Sequence, residues 1–247
     1  MTGEEKRHTL ADWLALHEID PPFCRHVLRA AAEEAAGAPN DQAEPVREEP
    51  ALDPERAWHS VVEAMCNCLP AQRRFIEESF EKISRKPVSS ANPARRALTL
   101  DNGSTSYPTI IYTDRGKSSD MLLMAHEFAH ALQIVASGGK FVPPVAREVC
   151  AFIGEAALLS RLRQTDDIRY AGLRQVWRRD DRKYLISDGR DLESALDNPD
   201  SAYRYNWNYP IARHLANRTC GAHDPQRAWG IFQGSLSVRQ IFDSLQD

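Results

Sequence analysis

Hydrophobic side chains recur along this chain mostly at helical spacing, and in one place at the spacing of a strand. Within residues 1–35, "TLADWLALHEI" and "PFCRHVLRAAAEEAA" each read as a helix. "GAPNDQAEPVREEPALDPE" follows, rich in Pro, Glu, Asp and Asn and without a period, which predicts a linker. Asp53 then offers a cap, Pro54 suits the first helical position and Glu55 the first turn. Trp58, Val61, Val62, Met65 and Leu69 form one face of the helix that this start opens, and Phe75, Ile76, Phe80 and Ile83 mark a second helix over 71–83. Residues 84–106 show no period and read as irregular. "SYPTIIYTD" is short, β-branched and aromatic, so it reads as a strand, with Pro108 placing it at a sheet edge or marking its first residue. From Ser119 the helical pattern returns and runs to Gly138-Gly139; another helix, "VAREVCAFIGEAALLSRLRQ", follows Pro143-Pro144. Residues 164–192 read as a helix with loops. "SAYRYNWNYPIARHLANRT" reads as helical to Tyr209 with a restart at Pro210, and one or two short helices close the chain.

Composition narrows the classes. The 247 residues are 42% hydrophobic, enough for one sizeable core. The net charge is −4, from 31 basic and 35 acidic side chains that are well mixed, so neither a nucleic-acid footprint nor a basic membrane patch is expected. No apolar run reaches the roughly 18 residues of a membrane span, and "MTGEEKRHTLADW" has no apolar leader core, so a cytoplasmic protein is expected. The five cysteines are odd in number and mostly scattered, which favours reduced thiols; Cys66 and Cys68 read as small residues of a helix.

One stretch breaks the apolar pattern. "MAHEFAH" puts His126, Glu127 and His130 into a run flanked by Met121, Leu122, Leu123, Met124, Phe128 and Leu132. Residues four apart share a helix face, so His126 and His130 can grip one ion, while Glu127, turned by about 100°, reaches the space beside it. This is the H-E-x-x-H arrangement of zinc enzymes: two ligands and a carboxylate able to take a proton from water. Burying three such groups unpartnered costs several kcal/mol, and a cation reverses that cost. A third ligand is expected from "REVCAFIGEAALL", where Glu148 and Glu155 are seven apart and share a face. One can bind the ion while the other orients a histidine from behind; Glu148 is the better ligand, because the helix start faces the motif after a short turn.

From Glu55 to Leu215 the chain resembles the zinc peptidases of the oligoendopeptidase F and thimet oligopeptidase family. "ERAWHSVVEAMCNCLPAQRRFIEESFEKI" is similar to the helix pair before that family's catalytic centre. "YPTIIYTDRGKSSDMLLMAHEFAHALQ" is similar to its strand, loop and active-site helix, "EVCAFIGEAALLSRL" to its ligand helix, and "YRYNWNYPIARHLANR" to its tyrosine-rich cleft segment. The resemblance implies a mainly α, zincin-like (gluzincin) catalytic domain with a small β edge strand beside the active-site helix. It implies one Zn²⁺ on His126, His130 and Glu148, Glu127 as general base and Glu155 behind the ligands. Tyr205 would stabilise the oxyanion, flanked by Tyr203 and Tyr209, and the strand Pro108–Tyr112, through Ile110, Ile111 and Tyr112, would pair with an extended peptide.

The chain departs from that family in its shorter His130-to-Glu148 spacing, in Asp197 near the place of a usual histidine, in Ala129 for a glycine, and in a much smaller N-terminal lobe. An open cleft that admits protein substrates is therefore expected. The expected organisation is an N-terminal helical segment and acidic linker over 1–50 and a zinc metalloendopeptidase domain over 51–247. The partner is then a peptide or protein, not a nucleic acid or a membrane. Two alternatives stand beside an active peptidase: a non-catalytic peptide-binding module that keeps zinc, and a delivered effector or toxin protease with one protein target.

Overall fold

The computed structural model describes residues 8–37, 52–88, 97–103, 105–165 and 167–245; most of the expected linker, 38–51, lies outside them. The chain is mainly helical, with one small sheet.

Local chemistry sets the element starts. Helix α1 (Leu10–Leu16) opens on a reciprocal cap between Thr9 and Asp12. Helix α2 spans Pro21–Gly37. Helix α3 (Pro54–Cys68) starts as its sequence indicates: the Asp53 side chain accepts from the amides of Glu55 and Arg56, and Pro54 takes the first turn. A single 3₁₀ turn, Pro70–Gln72, leads into α4 (Arg73–Lys82). Helix α5 (Asp120–Ala136) is launched by Asp120, whose buried carboxylate accepts from the amides of Arg115 and Lys117 at 2.9 and 3.2 Å. It ends at Gly138 and Gly139, both at positive φ. Helix α6 (Pro144–Gln164) crosses the middle of the molecule and packs on α5 and α3.

Residues 84–106 are not irregular throughout. Strands β1 (Ser84–Val88) and β2 (Ala97–Leu100) flank β3 (Thr109–Thr113) in the order β1-β3-β2, with β1 parallel and β2 antiparallel to β3. The strand recognised in the sequence is therefore central, not an edge. Pro108 lies just before it, where its missing N–H breaks no ladder bond. Ile110 and Tyr112 point inward, and Tyr112 meets Trp58 edge-on at 5.3 Å. With both sides of β3 already paired, Ile110, Ile111 and Tyr112 offer no backbone edge to a peptide; the strand beside α5 with an unpaired outer side among the described residues is β2.

Beyond α6, the segment expected to mix helix and loop is almost continuously helical: α7 (Tyr170–Asp181), a π-helical stretch Arg182–Asp188, and α8 (Gly189–Ala195). Residues 199–204 are not helical. A 3₁₀ turn at Tyr205–Trp207 precedes α9 (Asn208–Ala222), which starts before Pro210 rather than restarting there. Pro210 sits in the first turn, where no intrahelical amide bond is lost. Helices α10 (Pro225–Phe232) and α11 (Val238–Asp243) finish the described chain.

Helices α1 and α2 share the hydrophobic core of the rest: Leu10, Trp13, Cys24, Val27 and Leu28 belong to the cluster that also holds Phe128, Phe152 and Ile211. Two buried polar contacts fix them. Trp13 Nε1 donates to Asn208 Oδ1 at 2.8 Å, and the Val145 amide donates to His17 Nε2 at 3.1 Å. The second serves as the cap that α6 lacks in its own sequence. No helix among the described residues is long and apolar enough to cross a membrane.

Candidate metal centre

Helix α5 presents His126 and His130 on one side, and α6 lies against that side. The approach is close because the facing residues are small. A β-carbon on Gly154 would stand 2.7 Å from the Ala125 carbonyl oxygen and 2.7 Å from Ala129 Cβ. Ala129, in the place where the resembled family has glycine, is thus accommodated by a glycine on the neighbouring helix.

This packing brings Glu148 to the two imidazoles. Its Oε2 lies 3.6 Å from His126 Nε2 and its Oε1 3.6 Å from His130 Nε2. The three donor atoms lie within 4.8 Å of one another, close enough to hold a metal ion. Tetrahedral geometry with bonds of about 2.0–2.1 Å places neighbouring donors about 3.3 Å apart, close to the two carboxylate–imidazole separations, while the widest donor pair, within 4.8 Å, must draw together to share one cation. Glu148 is almost wholly buried, and its Oε2 has no hydrogen-bond partner among the described residues. A buried carboxylate whose two oxygens each face one imidazole, with one of those oxygens unpartnered, is the pattern a bound cation would satisfy. Two nitrogens and a carboxylate oxygen suit zinc and its first-row neighbours.

The supporting groups are equally specific. His126 Nδ1 donates to Glu155 Oε1 at 2.7 Å, which leaves Nε2 free to face Glu148. Glu155 Oε2 accepts from Arg213 Nη1 at 3.2 Å, and Arg213 Nε donates to Asp181 Oδ1 at 2.7 Å. On the opposite side, Thr99 Oγ1 of β2 meets Glu127 Oε2 at 2.7 Å and the Glu127 carbonyl at 3.0 Å, which fixes that carboxylate beside the histidines.

Electrostatics follow this geometry. Burial pushes His126 down, but the hydrogen bond it donates to Glu155 and the charges of Glu155, Glu148 and Glu127 outweigh it, lifting the imidazole to about 9. His130 is driven well below its ordinary value by burial, then by its neighbour His126 and by Arg147. Burial raises the Glu148 carboxyl, opposed by His126 and by the Tyr205 hydrogen bond. An anionic cluster relieved by one imidazolium is a site in which a divalent cation can replace a proton.

The tyrosines divide. Tyr205 donates to Glu148 Oε1 at 2.6 Å, so its hydroxyl is engaged by the carboxylate expected to bind the ion. Tyr203 accepts from Asn208 Nδ2 at 2.7 Å and packs edge-on against Trp207. The Tyr209 hydroxyl has no hydrogen-bond partner among the described residues. Burial, then the charges of Glu148, Asp188, Tyr203 and Glu127, raise its phenol, and its ring packs against Tyr184 at 5.0 Å and Tyr205 at 5.8 Å. The segment expected to be helical to Tyr209 is not one helix: a turn delivers the Tyr205 hydroxyl to Glu148, while that of Tyr203 meets Asn208. Asp197 is remote from this chemistry: it is exposed and pairs with Arg25 at 2.6 Å.

Thr99, Asp181 and Arg213 were not foreseen. Thr99 lies in a four-residue strand too short to show a period, and Asp181 in a run of mixed charge. Arg213 alone left a trace, as a cation inside the apolar stretch "YPIARHLA". Comparison with models of known families, with curated protein sequences and with solved structures gave no match to this chain.

Proposed function

We propose that the chain is a zinc-dependent endopeptidase of the gluzincin type, built as a zincin-like domain and similar in its catalytic centre to the oligoendopeptidase F and thimet oligopeptidase family. The observation that carries this reading is the convergence of His126, His130 and Glu148 around one point, with the Glu127 carboxylate held beside it by Thr99.

A bound zinc ion would supply Lewis acidity, polarising a carbonyl and lowering the pKa of water toward 7. The residues of the chain do the rest. Glu127, fixed by Thr99, takes a proton from the attacking water and returns it to the leaving amine. Tyr209, whose ring packs edge-on against that of Tyr205, donates to the oxygen on which negative charge develops. Tyr205 holds Glu148 in its ligating position rather than taking that role. An extended peptide lies along β2, the outer strand next to α5, in place of the pairing with β3 expected from sequence.

The test is metal analysis of purified protein followed by cleavage profiling against a peptide library, with Glu127→Gln as control. Stoichiometric zinc in both proteins, with cleavage by the parent alone, is the expected result. Equal cleavage by both would end the assignment of Glu127, and zinc without any cleavage would favour a peptide-binding role.

A further inference from the structure

Arg213 is fully buried in α9, yet it carries a charge that nothing in the proposed reaction uses. Each of its three guanidinium nitrogens donates a hydrogen bond. Nε donates to Asp181 Oδ1 at 2.7 Å, Nη1 to Glu155 Oε2 at 3.2 Å, and Nη2 to the Trp177 carbonyl at 3.2 Å. The guanidinium also lies over the Trp177 ring at 3.1 Å and near Phe152 at 4.9 Å. Three helices, α6, α7 and α9, therefore meet on one cation.

For structural neutrality one carboxylate is enough, and Asp181 supplies it. Glu155 is an additional partner, and its other oxygen holds His126 Nδ1 at 2.7 Å. The contacts form an unbroken chain, Asp181–Arg213–Glu155–His126. A planar fork with fixed donor directions can set the angle of a carboxylate, which a flexible ammonium cannot. With Glu155 fixed, the ring plane of His126 and the direction of its Nε2 are fixed too.

We propose that Arg213 is a positioning residue of the metal centre, acting through Glu155 to aim His126 at the cation. This rests on the reading of His126 as a ligand. Groups that orient a ligating histidine through its other nitrogen typically contribute about 10–100-fold in metal affinity.

The experiment measures Zn²⁺ affinity by competition with a chromophoric chelator, on full-length protein at a temperature where circular dichroism shows each variant folded. Arg213→Met is expected to bind Zn²⁺ about 10–100-fold more weakly, with part of the loss recovered in Arg213→Lys. His214→Leu, on the same helix but outside the Arg213–Glu155–His126 chain, breaks the 2.7 Å contact with Glu34 and controls for stability alone; it is expected to lower Tm while leaving Zn²⁺ affinity within about threefold of the parent, well short of the loss above. In a Glu155→Gln background, replacing Arg213 is expected to weaken binding no further, because the residue acts through that carboxylate. Equal affinity in parent, Arg213→Lys and Arg213→Met, or an undiminished effect in the Glu155→Gln background, overturns the inference while leaving the metal centre standing. If Arg213→Met does not fold, the cycle is closed with Arg213→Lys and Glu155→Gln, and additive losses overturn it equally. A parent protein that binds no Zn²⁺ removes the reading of the site itself, and the inference with it.

Discussion

Gly154 of α6 lies against the Ala125 carbonyl of α5 so closely that any β-carbon there would collide with it at 2.7 Å. The two helices that carry the candidate ligands are thus held at a separation that only glycine permits. Gly154→Ala is expected to lower stability by about 1–3 kcal/mol through overpacking. It should also weaken Zn²⁺ binding, because Glu148 moves away from the histidines with its helix. Thermal unfolding and a Zn²⁺ titration check both; unchanged values would mean that α5 yields without disturbing the site.

Thr99 presents its hydroxyl to Glu127 at two places. Thr99→Val keeps the shape and the strand propensity but removes both contacts. Zn²⁺ affinity is expected to stay at the parent level, while peptide turnover falls about 10- to 100-fold as the carboxylate loses its fixed position. An equal loss of metal would instead assign Thr99 a role in holding α5.

The tyrosines can be separated by two measurements. Tyr209→Phe is expected to lower kcat by about 10²–10³, with metal affinity intact, as the loss of an oxyanion donor does. Tyr205→Phe is expected to act on Zn²⁺ affinity first, because its hydroxyl holds Glu148 at 2.6 Å. The reverse pattern would return the oxyanion role to Tyr205.

Acid should destabilise this protein through His17. Its imidazole is buried; Nδ1 donates to the Trp13 carbonyl at 2.7 Å and Nε2 accepts from Val145. Burial lowers it to about 4 despite the Trp13 bond, against an ordinary value of 6.5. The unfolded chain therefore takes up a proton at higher pH than the folded one, and stability falls as pH drops from 6.5 to 4. That window corresponds to a loss of at most about 3.4 kcal/mol. In a metal-free comparison, His17→Gln should flatten the dependence of unfolding free energy on pH between those limits; an unaltered slope would remove His17 as its source.

The parts of this fold that were legible in the sequence were those whose side chains repeat. His126 and His130 are four apart on a buried helix, and Glu148 and Glu155 seven apart on the next, so their faces followed from helical geometry alone. Strand β1 reads "SRKPV" and β2 "ALTL"; neither alternates long enough to announce a strand, and both exist because β3 pairs with them. Without them β3 looked like an edge. The tyrosine segment misled because its aromatic spacing mimics a helix, whereas Asn208, bonded to Trp13, Tyr203 and the Tyr205 carbonyl, shapes the turn in front of α9. Contacts such as Arg213 with Asp181 join residues far apart in sequence and follow no period at all.

The two flanks of the small sheet differ in kind. Strand β1 carries Lys86, whose charge repels and hydrates a docking backbone, and Pro87, which has no amide to offer. Strand β2, Ala97–Leu100, has neither obstacle; Thr99 turns toward Glu127 while Leu98 and Leu100 stand exposed on the other face. Growth of this sheet is therefore one-directional. Among the described residues, a visiting strand that adds to it joins at β2, next to the Glu127 carboxylate, so the feature that keeps the far flank from sticking to its neighbours would also channel an incoming polypeptide toward the candidate site.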